Sequence, residues 1–295
     1  MGHRMILIGA GSTIGRPLVD VLKKEDIELT AASRSLRRLP EGVKGLQLDY
    51  NNPQMMELAL KDKEVLFLKL PISTDFHAQT LNILKAAKLN GVRFILGMSV
   101  LGASAHSPYM YQRVYGEWEE ILAESKMRYC FIRPNILMQS LDNWYHDELQ
   151  AGTVYLPEGE GRVSFIDARD VADLAAKILM HPMIFHRQVL EVTGQRAFSN
   201  AEAVSFLSFH ASRRIEFVPV TEAMALKSPN MRDLSIWERE FVLSRHQAVK
   251  SGQLSWISGH YEKIMGRPPR RFEDFCAEMG EQLKSPPPPD KSADL

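Results

Sequence analysis

The 295-residue chain predicts a doubly wound α/β fold, and three observations carry that prediction. Short apolar runs alternate with stretches of helical periodicity through residue 135, as successive βα units require. The runs carry almost no polar interruption, which is what strands buried on both faces of a parallel sheet look like. A glycine-rich turn joins the first run to the first helix. Right-handed crossovers then give a Rossmann sheet whose ligand lies beyond the carboxyl ends of its strands.

The elements follow in order. Met5 to Ile8 is a buried strand, and Leu18, Val19 and Leu22 recur at helical spacing after the glycine turn. Ile27 to Ala32 and Gly45 to Leu48 read as strands. Pro53, well placed at a first helical position, opens a helix through Leu60. Val65 to Leu70 is the next strand, ended by Pro71. A helix from about Asp75 to Leu89 stops at Asn90-Gly91. Strand Val92 to Met98, helix 109–124 and strand Tyr129 to Ile132 complete the alternation. Beyond Pro134 the rhythm changes, and residues 136–164 are mixed and rich in Gly and Pro. Helices are expected over Asp167 to Leu179, Phe198 to His210 with Ser199 as N-cap, Met231 to Gly252 and Phe272 to Leu283. Gln188 to Thr193 and Glu216 to Val220 read as strands.

This organisation predicts a dinucleotide-binding core over residues 1–135, with 165–194 adding a helix and a strand to it. Residues 136–164 and 195–284 form a smaller C-terminal α/β substrate-binding subdomain, and the proline-rich tail 285–295 is expected to be disordered. A chain of this length buries roughly three quarters of its unfolded surface. With 36 basic and 36 acidic residues, no nucleic-acid footprint or basic membrane patch is indicated. Two distant cysteines without metal spacing fit a reducing compartment. No run approaches the ~20 apolar residues of a membrane span. A cytoplasmic monomer or homodimer with a small-molecule substrate, no nucleic acid, no membrane and no metal is the expectation.

Gly9, Gly11 and Gly15 are spaced G-x-G-x-x-x-G, one residue longer than the dinucleotide fingerprint. Strand, tight turn and helix present backbone amides and a helix N-terminus to an anion. About 20 residues on, where an acidic residue would hold the ribose of NAD, this chain has Arg34, with Arg37 and Arg38 just beyond. A guanidinium there suits a 2′-phosphate through charge and forked hydrogen bonds. The two features favour NADPH over NADH.

The motifs, taken together, resemble those of the NmrA-like group of atypical short-chain dehydrogenases, which includes NADPH-dependent quinone, azo-dye and triphenylmethane-dye reductases and redox-sensing regulators. The matching pieces are Gly9-Ala10, Thr13 to Pro17, Ser33-Arg34-Ser35, Asp49 with Asn52-Pro53, Leu70-Pro71, Ser99 to Ala103 and Ile132 to Asn135. Later ones are Phe165 to Ala172, Leu190 to Gly194 and Met265 to Phe275. The resemblance implies that the turn Gly9, Gly11, Ser12, Thr13, Ile14 and Gly15 holds the diphosphate. It implies Arg34 and Arg38 at the 2′-phosphate, and Asp49 with Tyr50 by the adenine. Leu70, Pro71 and Ile72 would border the ribose and nicotinamide, and Ser99, Val100 and Pro134 would line the nicotinamide pocket. One departure stands in the turn: the group's G-A-T-G-x-x-G would put glycine at position 12, where this chain has Ser12 after Gly11. Ser12 either offers its hydroxyl to a phosphate or weakens binding.

Short-chain dehydrogenases pair a tyrosine with a lysine four residues on, the ammonium easing release of the phenolic proton. Here Tyr109, Tyr111 and Tyr115 are followed at that spacing by Arg113, Tyr115 and Glu119. Tyr115-x-x-x-Glu119 stands where the group often has His-x-x-x-Glu, so Tyr115 is the candidate catalytic residue, as proton donor or stacking surface. Without the usual acid, hydride transfer to a planar acceptor that delocalises charge, such as a quinone or azo bond, is favoured. Met138, Trp144, Tyr145, Trp237 and Phe241 are candidates for an apolar substrate wall. The alternative reading is an NADP(H)-binding redox sensor that acts through protein partners without chemistry.

Overall fold

In the computed structural model, which describes residues 3–284, seven parallel strands form the central sheet. The expected disordered tail, 285–295, lies outside the described residues. The first half alternates as expected: β1 (Arg4–Ile8), α1 (Gly15–Leu22), β2 (Glu28–Ser33), β3 (Lys44–Gln47), α2 (Pro53–Leu60), β4 (Val65–Leu68), α3 (Phe76–Leu89), β5 (Phe94–Met98), α4 (Met110–Glu124) and β6 (Tyr129–Pro134). Asn52 caps α2 by accepting the Met55 amide at 3.0 Å, and Pro53 fills the position where an N–H would find no partner. Beyond lie α5 (Ser140–Ala151), β7 (Thr153–Leu156), β8 (Arg162–Val163), α6 (Ala168–Met180), β9 (Val189–Val192), β10 (Phe198–Ser199), α7 (Asn200–His210), β11 (Glu216–Pro219), α8 (Glu222–Ala225), α9 (Pro229–Arg232), α10 (Ile236–Lys250), α11 (His260–Met265) and α12 (Phe272–Leu283).

The sheet order is β3-β2-β1-β4-β5-β6-β9, with every neighbour parallel. The order reverses between β1 and β4, so a crevice opens beyond their carboxyl ends. Alternate residues divide the core. Met5 and Leu7 pack with α1 and α6 on one face, while Ile6 and Ile8 pack with α2, α3 and α4 on the other. A second apolar cluster joins α5, α7, the C-terminal end of α10 and α12 through Leu149, Leu207, Val249 and Phe272. Asp167 and Asp170, at the start of α6, serve architecture. Asp167 caps the helix through the Arg169 amide at 2.8 Å, and buried Asp170 accepts from the Arg270 amide at 2.6 Å and the Tyr261 hydroxyl at 2.9 Å.

Several boundaries differ from the sequence reading. The expected helix from Met231 divides, because Ser235 and Glu238 form a reciprocal capping box that starts α10 afresh. The mixed segment 136–164 contains a twelve-residue helix, α5, kinked at Tyr145. Phe198-Ser199 is a short strand paired with β8, and Ser199 then caps α7. The strand expected to Leu70 ends at Leu68, where the chain turns toward the crevice. Both cysteines are buried and unpaired, and burial pushes the Cys130 thiol up to about 12, so it stays protonated and inert. Among the described residues no helix is long and apolar enough to cross a membrane.

Candidate functional site

The glycine turn is shaped by contacts that leave no room for side chains. Gly9 has φ +93°, and a Cβ there would lie 2.3 Å from the Lys69 carbonyl oxygen. A Cβ on Gly15 would lie 2.2 Å from the Gly9 carbonyl, so α1 starts pressed onto the turn. At Gly11 a Cβ would meet the Arg38 Cβ at 2.8 Å. That contact seats the 3₁₀ turn Leu36–Arg38 directly against the phosphate-sized corner. The amides of Gly9 and Ala10 both donate to the Ala32 carbonyl, and that of Ser12 to Gly9. The amides of Gly11, Thr13 and Ile14 have no partner among the described residues. Three unpaired donors beside a helix N-terminus fit a diphosphate.

Ser12 does not block this corner. Its hydroxyl oxygen accepts the Gly15 amide at 3.0 Å, so the side chain folds back onto the helix start and leaves its own proton free to donate. Ser12 lines a groove of about 490 Å³ with Gly9, Gly11, Arg34, Arg38, Tyr50 and Pro71. Arg34 and Arg38 are exposed at its outer end, and neither forms an ion pair among the described residues. Tyr50 is 4 % exposed, and burial pushes its phenol above the ordinary range against the opposing charge of nearby Arg34. The glycines, the two arginines and the free amides therefore fit a phosphorylated dinucleotide.

A second cavity of about 410 Å³ abuts the first, and Lys69 lines both. Tyr111, Tyr115, Trp144, Trp237 and Phe241 form its aromatic wall, beside the aliphatic Ile72, with Arg245 and Glu238 among its charged members. Trp237 stacks on Phe241 at an interplanar angle of 14°, and Tyr111 meets Phe241 edge-on. Tyr115 lies against Phe76, Tyr111 and Trp118, and burial pushes its phenol well above the ordinary value. Glu119 turns away from it, bound to Arg133 by hydrogen bonds of 2.9 and 2.6 Å. Arg113 is spent on the Ser107 carbonyl at 2.9 Å. No partner within helix α4 helps Tyr115 release a proton.

The remaining sequence-derived residues stand behind these walls. Ile14 and Leu70 are packed in the core and do not line the groove, and Gly15 is pressed against the Gly9 carbonyl. Thr13 accepts the Asn143 side-chain amide at 3.3 Å, tying the turn to α5. Asp49 is exposed and accepts the Asn51 amide at 2.9 Å, outside the groove wall that its neighbour Tyr50 forms. Ser99 is 2 % exposed with its hydroxyl unpartnered, Val100 packs against Tyr111, and Pro134 accepts the Leu101 amide at 2.9 Å. All three lie at the carboxyl ends of β5 and β6, outside the lining of the aromatic cavity. Lys69 and Arg245 were missed in the sequence reading. Lys69 had a signal, a lone charge in the otherwise apolar run Val65 to Leu70, whereas Arg245 looks like any solvated helix residue.

Gly15→Ala tests the turn. The added methyl must displace the start of α1 at roughly 1–3 kcal/mol, the usual cost of overpacking. NADPH affinity should fall by at least about tenfold while circular dichroism stays native, since 1.4 kcal/mol is a factor of ten. Calorimetric titration reads both cofactor affinity and its loss.

Comparison with known proteins agrees with this geometry. A family model described as NAD(P)H-binding matches residues 9–182. The chain is 28% identical over 276 residues to an NAD(P)H azoreductase of Xenophilus azovorans, covering 92% of this chain and 96% of that protein. The fold is similar to that of an Escherichia coli NADPH-dependent quinone oxidoreductase solved with NADPH, at TM-score 0.81 and 23% identity over 95% of this chain and all of that one. It is also similar to NmrA, a negative transcriptional regulator solved with NADP, at TM-score 0.74 and 15% identity, covering 100% and 99%. The matched model spans more than half of its residues, and the chain therefore belongs to the NAD(P)H-binding family, with the NmrA-like architecture that its motifs resemble.

Proposed function

We propose that this protein is an NADPH-dependent oxidoreductase that reduces a small planar electrophile, such as a quinone or another conjugated acceptor. One observation carries the reading: the dinucleotide groove and the aromatic chamber meet at Lys69. A reduced nicotinamide supplies hydride when the cofactor is bound. The free amides of Gly11, Thr13 and Ile14 hold its diphosphate, and Arg34 with Arg38 hold its 2′-phosphate. Tyr111, Tyr115, Trp237 and Phe241 then clasp a flat acceptor and exclude water, so alignment supplies most of the acceleration. The azoreductase and quinone oxidoreductase relatives support this substrate class. On the same reading, residues 136–164 and 195–284 form the substrate lobe, since they contribute Trp144, Trp237, Phe241 and Arg245 to the chamber.

Tyr115 acts as a stacking surface. Burial keeps its proton in place through the working pH range, and neither Arg113 nor Glu119 turns toward it. The test follows NADPH oxidation at the nicotinamide absorbance with a panel of quinones and azo compounds. Turnover is expected, and Tyr115→Phe should stay within about threefold of wild type, far from the ~10²–10⁴-fold that a lost general acid costs. Tight NADPH binding without turnover of any acceptor would favour the second reading, a redox sensor. The specific observation behind that reading is the absence of a tyrosine–lysine pair on α4, together with the likeness to NmrA.

A further inference from the structure

Lys69 stands at the carboxyl end of β4, where its amide donates to the Ile8 carbonyl at 3.0 Å and its own carbonyl presses on Gly9. The backbone is thus fixed by the same contacts that shape the dinucleotide turn. Its half-buried side chain lines both cavities, and it is the one residue common to their walls. It forms no ion pair among the described residues, so its charge is free to meet a ligand.

The other charged and titratable groups facing this junction are occupied or unsuited to give up a proton. Glu238 accepts the Ser235 amide at 2.9 Å and hydroxyl at 2.7 Å, which hold its carboxylate below the ordinary range and therefore ionised. Arg245, whose Nε has no partner, sits over Trp144 at 5.6 Å and cannot deprotonate. Burial raises the phenols of Tyr111, Tyr115 and, on the groove side, Tyr50. Arg34 and Arg38 hold the far end of the groove. For Lys69, burial alone pushes the amine below its ordinary value, the direction that makes an ammonium a better acid near neutral pH.

We propose that Lys69 is the proton donor of the reduction, giving its Nζ proton to the acceptor anion that hydride arrival creates. This rests on the reductase reading above. The acceptor gains a hydride at one atom of its π bond, which breaks, and the electron pair settles on the other atom. There the Lys69 N–H bond breaks and a new O–H or N–H bond forms. NADPH is oxidised by two electrons, the acceptor is reduced by two, and the neutral amine recovers its proton from solvent.

The test uses the poorest acceptor that the wild type reduces, since its anion needs a proton most. Lys69→Met should lower kcat by about 10²-fold, the usual contribution of a positioned acid. NADPH affinity, measured by calorimetry, should stay within threefold. Wild-type kcat should fall as pH rises through the Lys69 pKa, because only the ammonium can donate, and this limb should vanish in the variant. Lys69→Arg keeps the charge but not the acid and should remain as slow as Lys69→Met. In the cofactor-free protein, ¹³C NMR of reductively methylated lysines should show one resonance titrating below the rest, absent from Lys69→Arg.

A kcat loss under tenfold in Lys69→Met, full rescue by Lys69→Arg, or a lysine that titrates with the others would overturn the assignment. So would a large rise in NADPH Kd with kcat intact at saturation, which would make Lys69 a phosphate anchor. A wild type that turns over no acceptor would remove the reductase reading itself, and wild-type turnover with unimpaired Lys69 variants would remove only the proton role.

Discussion

Replacing Arg34 by glutamate is expected to invert the cofactor preference. Arg34 and Arg38 line the outer end of the dinucleotide groove without carboxylate partners, so their charges are available to a ligand. Hydrogen bonds to charged groups contribute about 1.5–3 kcal/mol each, and glutamate removes the bonds while adding repulsion against a 2′-phosphate. NADPH affinity should fall by roughly 30- to 100-fold or more, taking 1.4 kcal/mol per factor of ten. NADH carries hydroxyls at that ribose, and a carboxylate accepts from them, so its affinity should hold or rise. The NADPH contribution should also shrink with added salt, because both arginines are solvent-exposed. Calorimetric titration of both nucleotides into wild type and Arg34→Glu checks the sign. Unchanged selectivity would take Arg34 out of the site.

The second large effect concerns stability. Glu158 and His246 are both nearly inaccessible and meet through Nδ1 and Oε1 at 2.6 Å, and Glu158 also accepts the Asn200 amide at 2.7 Å. Burial alone would raise the Glu158 carboxyl, but the His246 hydrogen bond and charge, with Asn200 and Arg245, hold it below the usual carboxylate value. Glu158→Gln leaves a buried hydrogen-bond partner of the carboxylate unsatisfied, which costs about 1–3 kcal/mol. Glu158→Gln should show that loss as a lower denaturant midpoint at neutral pH. The unfolded carboxyl titrates near 4.5, so the extra stability is complete above that value and disappears as pH falls through the depressed folded value. Wild-type stability should therefore drop steeply below about pH 4, with a shallower drop in Glu158→Gln. The pair also sits next to Arg245, so loosening it should loosen one side of the aromatic chamber.

Much of the fold was legible because a parallel sheet buried on both faces writes itself as uninterrupted apolar runs, as in Val65-Leu66-Phe67-Leu68. The glycine turn and the arginines beside it were legible for a different reason. Their parts are local, with glycines that have no space for Cβ atoms and arginines at the end of the next strand. The aromatic chamber was harder to read. Its wall joins Tyr111 and Tyr115 from α4, Trp144 from α5 and Trp237 to Arg245 from α10. Of the five apolar-wall candidates Trp144, Trp237 and Phe241 line it, whereas Met138 and Tyr145 pack in the C-terminal apolar cluster. Helix α5 escaped because Ser140–Ala151 is largely polar and only Leu141 and Leu149 are buried. The helix expected from Met231 looked continuous because its periodicity survives the break that Ser235 introduces.

For the proposed reduction a phosphorylated nicotinamide nucleotide must lie across the first βα corner, with its nicotinamide end beside Lys69. A crystal structure of the protein grown with NADPH tests this most directly. It should show the diphosphate on the amides of Gly11, Thr13 and Ile14, the 2′-phosphate within hydrogen-bonding distance of Arg34, and the nicotinamide at the mouth of the aromatic chamber. Density for the 2′-phosphate away from both Arg34 and Arg38, or a nucleotide bound outside the groove, would contradict this placement.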